Sequence, residues 1–321
     1  MKRIASILGC TAMALAAAFP AGAQSPDSKP IHLVLAMAAG SGSDIAARTF
    51  SETWAKNTGR QIIVENRPGA LGTIAAAAVA KAAPDGHTLL MVGGTAMSGA
   101  PHIMPNMPYD PLRDLMPVSL VVRSPMLLLV ADANPAQSFK DLLAGVRAKR
   151  IPGFYGAHHA GNLAAMEAVR QDFDLELTPV QYKSGPQALT DLVGGQISMM
   201  FNDVAGSKSL MDSHRVRPLA VMLKERSPLA PDVPTVYELG YDGPEVLLWS
   251  GLFAPAGTDP KVVDELHAEV SAALRTPALR ESMANLGLEA VPSPTPASLT
   301  DYLVQETADL GPLLVNYGKS K

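Results

Sequence analysis

The stretch Ile31-His-Leu-Val-Leu-Ala-Met37, followed by Ala38-Ala-Gly-Ser-Gly-Ser-Asp44, decides the fold class of this protein. The first part is almost entirely apolar and is bounded by turn-forming residues, which predicts a buried β-strand over residues 31–37. The glycines and serines behind it predict a tight turn, and the residues that follow predict a helix over 44–57. A strand that leads through a glycine-rich turn into a helix is typical of α/β proteins.

The same order of elements recurs along the chain. Further strands are predicted at 61–65 and 88–92, with an alanine-rich helix over 73–82 between them. A second set has predicted strands at 153–156, 177–181 and 197–201, and predicted helices at 163–171 and 185–194. This alternation predicts an α/β protein whose sheets are mostly parallel and carry helices on both faces.

Two long apolar runs, residues 117–130 and 247–254, interrupt this rhythm and enclose the second set of elements. We therefore expect residues 126–245 to form a second lobe that is inserted into the first. The first lobe then consists of residues 24–125 and 246–321, with boundaries given to within about 15 residues. The two chain crossings between the lobes are expected to act as a hinge.

The N-terminus has the pattern of an export signal. Lys2 and Arg3 precede an apolar segment, and Ala21-Gly22-Ala23 has the small residues that a signal peptidase requires. We expect residues 1–23 to be a cleaved signal peptide and the protein to reside in the periplasm. The apolar segment is short for a membrane span, so no permanent anchor is expected.

Composition limits the function further. The formal net charge is −4, and it becomes −6 when Lys2 and Arg3 leave with the signal peptide. An acidic chain without a basic block is not expected to bind nucleic acid. The single cysteine, Cys10, also leaves with the leader, so the core must stabilise the fold without disulfides.

The loop at 38–44 is the most informative candidate site. Its glycines allow a ligand to approach the backbone, and Ser43 or Asp44 is expected to cap the helix, whose first-turn N–H groups attract anions. It is not a dinucleotide-binding loop, because Ile45 stands where the third glycine of G-x-G-x-x-G is required. On local grounds a tight turn with a helix cap, without any ligand, explains the pattern equally well.

Other candidate segments follow predicted strands, where open α/β sheets bind ligands. They are residues 66–69, 93–95, 156–159 and 201–203. Arg67 in the first of these is a candidate counter-ion for a carboxylate, although an Arg-Pro turn more often organises its own loop. Glu65, Asp44 and Asp203 are carboxylates that a closed cleft would bring together.

The order of short motifs along the whole mature chain resembles one family. The motifs include Val64-Glu-Asn-Arg-Pro-Gly-Ala70, Ala82-Ala-Pro-Asp-Gly-His-Thr-Leu-Leu90, Pro108-Tyr-Asp-Pro-Leu-Arg-Asp114, Pro231-Asp-Val-Pro-Thr-Val236 and Gly251-Leu-Phe-Ala-Pro-Ala-Gly-Thr258. They are similar to those of Bug-type receptors, the extracytoplasmic solute-binding proteins of tripartite tricarboxylate transporters. Because the motifs follow one another from end to end, the resemblance is more specific than any single motif.

This resemblance implies a two-lobed periplasmic-binding-protein type II-like fold that closes on a small carboxylate and is recognised by membrane transporter subunits. In such receptors the loops that match residues 39–44 and 157–161 hold the proximal carboxylate of the ligand. The implied ligand-binding residues are Ala39, Gly40, Ser41, Ser43, Asp44, Thr95, Ala157, His158, His159, Ala160, Phe201, Asn202 and Asp203. A monomer without cofactor or metal is expected, and a sensing role without a dedicated transporter is the alternative function.

The chain departs from the family pattern in both loops. Ala39 and Ser41 stand where the family usually has proline and glycine, and the second loop is short and carries His158 and His159. These histidines are expected to donate to a carboxylate or to stack on an aromatic acid; the alternative is that one caps a helix and the other faces solvent. If they bind a carboxylate as imidazolium ions, affinity should fall as the pH rises through about 6 to 8.

Catalytic motifs do not fit this sequence. No cysteine nucleophile remains after cleavage, and Ser98 lacks the G-x-S-x-G frame of a nucleophile elbow. The paired histidines do not have H-E-x-x-H spacing, so a metal site is not expected. We therefore expect a binding protein rather than an enzyme, and the ligand remains open among dicarboxylates, tricarboxylates, aromatic acids and amino acids.

Overall fold

The computed structural model describes residues 29–314, so the predicted signal peptide lies outside the described residues. The strands are β1 Ile31–Leu35, β2 Ile62–Asn66, β3 Thr88–Gly93, β4 Leu115–Ser124, β5 Met126–Ala131, β6 Phe154–Ala157, β7 Thr178–Gln181, β8 Met199–Asp203, β9 Val216–Val221, β10 Leu248–Pro255 and β11 Glu289–Ala290. The helices are α1 Gly42–Thr58, α2 Thr73–Ala80, α3 Ala100–Ile103, α4 Phe139–Arg147, α5 Ala160–Asp172, α6 Gly185–Val193, α7 Val204–Asp212, α8 Pro260–Leu274, α9 Pro277–Asn285 and α10 Pro296–Leu314. A short 3₁₀ turn at Ala70–Gly72 precedes α2, and a π-helical turn at Thr95–Gly99 precedes α3.

These elements form two sheets. The first has six strands in the order β11-β4-β10-β3-β1-β2, and the second has five in the order β7-β6-β8-β5-β9. The fold is therefore α/β with two separate sheets, as the sequence predicted. The chain passes from the first sheet to the second at Pro125 and returns to the first sheet between β9 and β10. We propose that these two passages are the lobe boundaries at about residues 125 and 246.

The sheets are mixed rather than mostly parallel, so this part of the prediction was wrong. Strands β1, β2 and β3 are mutually parallel, and so are β6, β7 and β8, but β10 runs antiparallel to β3 and β5 runs antiparallel to β8. The reason is the crossings. The chain enters β5 from the first sheet and enters β10 from the second sheet. Each of these strands therefore starts at the edge where the parallel strands of its sheet end, and it runs in the opposite direction.

Helices cover both faces of each sheet. In the first sheet, α1 and α8 bury large side chains on one face, including Phe50, Trp54 and Leu266, while α2 lies on the other. In the second, α4 and α5 lie on one face and α6 and α7 on the other. Within residues 29–314, none of the helices combines the length and the apolar character that a membrane span requires.

Helix α10 packs against both lobes. Near its start, Leu299 and Leu303 belong to the core of the first sheet. Near its end, Leu310, Leu313 and Leu314 are buried with the core of the second. The C-terminal helix therefore joins the two halves in addition to the two chain crossings.

Candidate ligand-binding cleft

The N-cap of α1 is Ser41, and not Ser43 or Asp44 as the sequence predicted. The hydroxyl of Ser41 accepts a hydrogen bond from the backbone N–H of Asp44 at 3.2 Å, which makes Ser41 the N-cap. Gly40 has φ +77°, a conformation that favours glycine. Gly42 and Ser43 follow as the exposed first residues of the helix, and N–H groups at these positions have no partner within the helix.

The buried side chain of Asp44 fixes this loop through hydrogen bonds. Its carboxylate is 3% exposed and accepts hydrogen bonds from the N–H of Gly40 at 2.8 Å, from Asn66 Nδ2 at 2.8 Å and from Arg48 Nε at 3.1 Å. Burial alone would raise the pKa of Asp44, but these hydrogen bonds outweigh it and keep the pKa below its ordinary value. With its oxygens committed to the loop and to β2, Asp44 is a positioning residue.

His159 is the N-cap of α5. Its Nδ1 accepts the N–H of Asn162 at 3.2 Å, and the Asn162 side-chain oxygen accepts the N–H groups of His158 and His159 at 3.1 Å each. This reciprocal arrangement is a capping box, with histidine and asparagine in place of the usual serine and glutamate. It matches the first part of the alternative interpretation, in which one histidine caps a helix; the second part, a solvent-facing histidine, does not hold, because His158 is half-buried.

His158 lies beside it and is half-buried. Its Nδ1 is 2.6 Å from Asn162 Nδ2, and the two imidazole rings meet edge to face with centroids 4.5 Å apart. Burial lowers the pKa of His158, and burial together with the neighbouring ring lowers that of His159 to about 3. These lowered pKa values favour the neutral form of both rings, which argues against recognition of the ligand by imidazolium ions. Direct contact with a ligand stays a prediction.

The end of β8 provides a third helix start. Asp203 caps α7 by accepting the N–H of Gly206 at 2.7 Å. Asn202 is 3% exposed and donates to Ser207 Oγ at 2.9 Å. Phe201 and Ala157 are fully buried in the core of the second sheet, so their side chains shape the site from behind rather than facing it.

A cavity of about 380 Å³ lies between the two sheets. Four predicted site residues line it: Ser43, Thr95, Ala160 and Asp203. The helix starts of both lobes meet here, since the lining also includes Gly42 of α1 and Gly161 of α5. The predicted residues that do not line the cavity are Ala39, Gly40, Ser41, Asp44, Ala157, His158, His159, Phe201 and Asn202.

Several lining residues were missed by the sequence prediction. They come from the crossing strand β10, from the turn between α9 and β11 and from α10, and include Leu248, Trp249, Ser250, Leu286, Leu288 and Glu306. The apolar run at 247–254 was recognised only as a crossing. A strand that crosses between lobes necessarily passes the floor of the cleft, and this was the signal available for β10.

Glu306 is a buried carboxyl in the cavity wall. It is 5% exposed and accepts hydrogen bonds from Ser98 Oγ, from Trp249 Nε1 at 2.8 Å and from Tyr302 Oη at 2.8 Å. Burial raises the pKa of Glu306 even though these hydrogen bonds favour the carboxylate. The group ties α10 to the π-helical turn after β3 and to the crossing strand β10.

The carboxylates of Glu65, Asp44 and Asp203, which the sequence suggested could meet across a cleft, each have their own partners. Glu65 accepts from Arg67 at 3.0 Å and lies 2.8 Å from His32 Nδ1, Asp44 holds its own loop, and Asp203 caps α7. Arg67 thus organises its own loop by pairing with Glu65, as the local interpretation of the Arg-Pro turn had it. In residues 29–314, no group of three or more potential metal-ligating side chains comes together.

Known proteins match this chain along most of its length. A family model described as "Tripartite tricarboxylate transporter family receptor" matches residues 46–316. A UPF0065 protein of Bordetella bronchiseptica is 37% identical over 280 residues, which is 86% of this chain and 82% of the relative.

Solved structures agree with the family match. R. palustris Rpa4515 with adipate has a TM-score of 0.73 at 28% identity, covering 90% of this chain and 97% of that one. MatC from Rhodopseudomonas palustris with bound malate has a TM-score of 0.68 at 31% identity, covering 89% and 98%. Bug-type and related proteins of this kind are periplasmic binding proteins rather than enzymes, and the chain belongs to their family, the receptors of tripartite tricarboxylate transporters.

Proposed function

We propose that this solute-binding receptor captures a small carboxylate-bearing metabolite between its lobes and delivers it to a tripartite tricarboxylate-type membrane transporter. The observation that carries the proposal is the meeting of three helix starts at one cavity. Gly42 and Ser43 open α1, Ala160 and Gly161 open α5, and Asp203 caps α7, and all of them line the same space. N–H groups in the first turn of a helix have no partner within the helix and carry partial positive charge, so the starts of α1 and α5 suit a carboxylate. The start of α7 already holds the carboxylate of Asp203.

Two relatives support a carboxylate ligand. The solved structures of Rpa4515 with adipate and MatC with malate each contain a small dicarboxylic acid. The helix starts that line the cavity here arise from the same α/β architecture. The acid itself differs between these relatives, so the carboxylate is the shared feature and the rest of the ligand is specific to each protein.

Binding is expected to close the lobes. The cavity is lined by α1 of the first lobe and by α5 and α7 of the second, so a ligand between them contacts both lobes only when they approach. A ligand that binds the closed state more tightly shifts the population toward it. The closed state then serves as the form that the transporter recognises.

Isothermal titration calorimetry tests the binding step. The panel should contain monocarboxylates, dicarboxylates, tricarboxylates, aromatic acids and amino acids, each beside its uncharged amide. We expect at least one acid to bind saturably with 1:1 stoichiometry and its amide to bind at least tenfold more weakly. Binding of no acid, or equal binding of acid and amide, would contradict carboxylate recognition; formation of a product in the same mixture would contradict a receptor role.

Export and delivery need their own measurements. Mass spectrometry of the protein from the periplasmic fraction should show a mature N-terminus at Gln24, and native mass spectrometry should show a monomer. Uptake of the identified acid should require both this receptor and the transporter's membrane subunits. Uptake that persists without the receptor would contradict delivery and favour the sensing role.

A further inference from the structure

The side chain of Asn162, in the first turn of α5, has a fixed orientation. Its Oδ1 accepts the backbone N–H groups of His158 and His159 at 3.1 Å each, and these groups can only donate. The other end of the amide is therefore the donor Nδ2, which lies 2.6 Å from His158 Nδ1 and 3.4 Å from the carbonyl oxygen of Phe201. Asn162 is 0% exposed, so these contacts are shielded from solvent.

This arrangement determines which ring nitrogen of His158 carries the proton. A ring nitrogen that faces an N–H donor must accept, so Nδ1 of the neutral ring is unprotonated and the proton is on Nε2. The same reasoning applies to His159, because its Nδ1 accepts the backbone N–H of Asn162 at 3.2 Å. Both imidazoles are therefore held as Nε2–H tautomers, and each presents a donor at Nε2.

The Nε2 atom of His158 lies beside an acceptor. A Cβ on Gly185, at the start of α6, would lie 3.2 Å from His158 Nε2 and 3.5 Å from Asn202 Oδ1. Asn202 is 3% exposed, and its Nδ2 donates to the hydroxyl of Ser207, which in turn donates to the carbonyl of Asp203. Within residues 29–314, neither His158 Nε2 nor Asn202 Oδ1 has a hydrogen-bond partner.

These two atoms form a donor–acceptor pair at the edge of the cleft. Asp203, which follows Asn202, lines the cavity, and so does Ala160 at the start of α5, two residues after His158. A carboxylate against the pair would satisfy only the N–H, since it has no hydrogen to donate, and it would meet the negative charge of Asp203. A hydroxyl group accepts and donates at once, so it satisfies both members of the pair.

We propose that Asn162 positions His158 as an Nε2–H donor, and that this N–H and the Asn202 oxygen together bind a hydroxyl group which the ligand carries beside its carboxylate. The inference rests on the receptor function proposed above and assigns its ligand to the hydroxy acids. A site built to pair with a hydroxyl group rejects analogues without it, because its own polar groups are then left unpaired. Malate in MatC carries a hydroxyl group and adipate in Rpa4515 does not, so this feature is set by the residues of each receptor.

Nitrogen NMR of the histidine rings tests the positioning. At neutral pH, a long-range nitrogen–proton spectrum of the mature protein should show Nε2 protonated and Nδ1 unprotonated in His158 and His159. His214 is the internal reference, because it is exposed and its ring has no hydrogen bond among the described residues, so both tautomers should exchange. In Asn162→Asp the new carboxylate accepts from His158, so Nδ1 should become protonated. A proton on Nδ1 of His158 in the unmodified protein would overturn the proposal whether or not this variant folds.

Calorimetry with matched acids tests recognition of the hydroxyl group. Malate and succinate, mandelate and phenylacetate, and citrate and tricarballylate differ only by one hydroxyl group. In each pair that binds, the hydroxy acid should bind at least about tenfold more tightly. Equal or weaker binding of the hydroxy acids, or binding only of other acids, would overturn the inference and leave the receptor function intact. The absence of binding by every acid would overturn both.

Two substitutions of His158 separate the donor from the rest of the ring. His158→Gln places an amide N–H near the position of Nε2, whereas the shorter side chain in His158→Asn does not reach it. The preference for the hydroxy acid should persist in the first variant and fall at least about tenfold in the second. His214→Asn is the matched control at an exposed position outside the cavity and should leave the preference unchanged. An undiminished preference in folded His158→Asn would overturn the role of His158, and if neither variant folds, the acid ratios of the unmodified protein decide.

Discussion

Replacing Asp44 by alanine should weaken ligand binding without direct loss of a ligand contact. The side chain holds Gly40, Asn66 and Arg48 through three hydrogen bonds and does not line the cavity. At about 1 kcal/mol for each hydrogen bond, the substitution is expected to cost about 3 kcal/mol of folding free energy. For a chain of this size that corresponds to a fall in Tm of roughly 5–10 °C.

The loss in affinity follows from the loop. Without the carboxylate, the N–H of Gly40 has no anchor, and residues 38–41 regain conformational freedom that binding must remove again. Fixing even one residue costs about 1–2 kcal/mol, so an affinity loss of at least tenfold, or about 1.4 kcal/mol, is expected. Calorimetry with the tightest acid of the panel measures the affinity, and thermal unfolding followed by circular dichroism measures the stability.

The chain contains a matched control for this experiment. Helix α4 begins with Ser138 as N-cap and Asp141 three residues later, the same spacing as Ser41 and Asp44 in α1. Asp141 is exposed, and its carboxylate accepts a hydrogen bond from the hydroxyl of Ser138. Asp141→Ala should therefore cost about 0.5–1 kcal/mol and leave affinity unchanged. If Asp44→Ala retains affinity within twofold of the unmodified protein, the first loop does not shape the site and this reasoning is refuted.

Three further predictions test other parts of the structure. Burial lowers the pKa of His159 to about 3, below the value near 6.5 of an unfolded histidine, so the unfolded state binds an extra proton and the stability of the fold decreases as the pH falls from about 6.5 to 3. The variant His159→Asn, which retains a capping oxygen, should reduce this pH dependence in urea unfolding. The affinity for the ligand should stay constant from pH 6 to 8. Gly287→Ala should lower the free energy of unfolding by at least about 2 kcal/mol more than Gly195→Ala. Both glycines have φ near +70°, but only a Cβ at Gly287 would meet a neighbour, Ala205. Equal losses of stability in chemical denaturation would contradict this close contact between the lobes. Ligand addition should change the fluorescence of Trp249, which lines the cleft, but not of Trp54 in the first core; the signal should vanish in Trp249→Phe and persist in Trp54→Phe.

Local patterns were sufficient to predict the elements that begin at the cleft. The apolar stretch before a glycine-serine turn predicted β1 and α1, and the helix begins at Gly42, two residues before the predicted start. The second set of strands and helices was likewise found close to its observed bounds. Strand direction was not predictable in this way, because β10 reads as a buried strand whichever way it runs. Its antiparallel pairing follows only from the crossing between lobes.

The parts of the site that were missed depend on distant residues. Glu306 lies in a helix whose apolar residues suggest an ordinary amphipathic element, and a glutamate there is typically solvated. Its burial becomes apparent only when Ser98 and Trp249, far away in sequence, are brought to it by the fold. The histidine pair shows the opposite case. His158 and His159 were conspicuous in the sequence as possible ligand contacts, but in the structure His159 caps α5.

The position of β10 has a consequence for how the molecule is assembled after synthesis. All strands of the second sheet come from residues 126–221, so that sheet can form from one continuous segment. The first sheet cannot be completed until residue 290 is available, because β10 inserts between β3 and β4 and β11 pairs with the other edge of β4. Strands β3 and β4 therefore keep open edges until the late segment of the chain is available. This order of assembly is compatible with the export proposed above, in which the chain crosses a membrane before it folds.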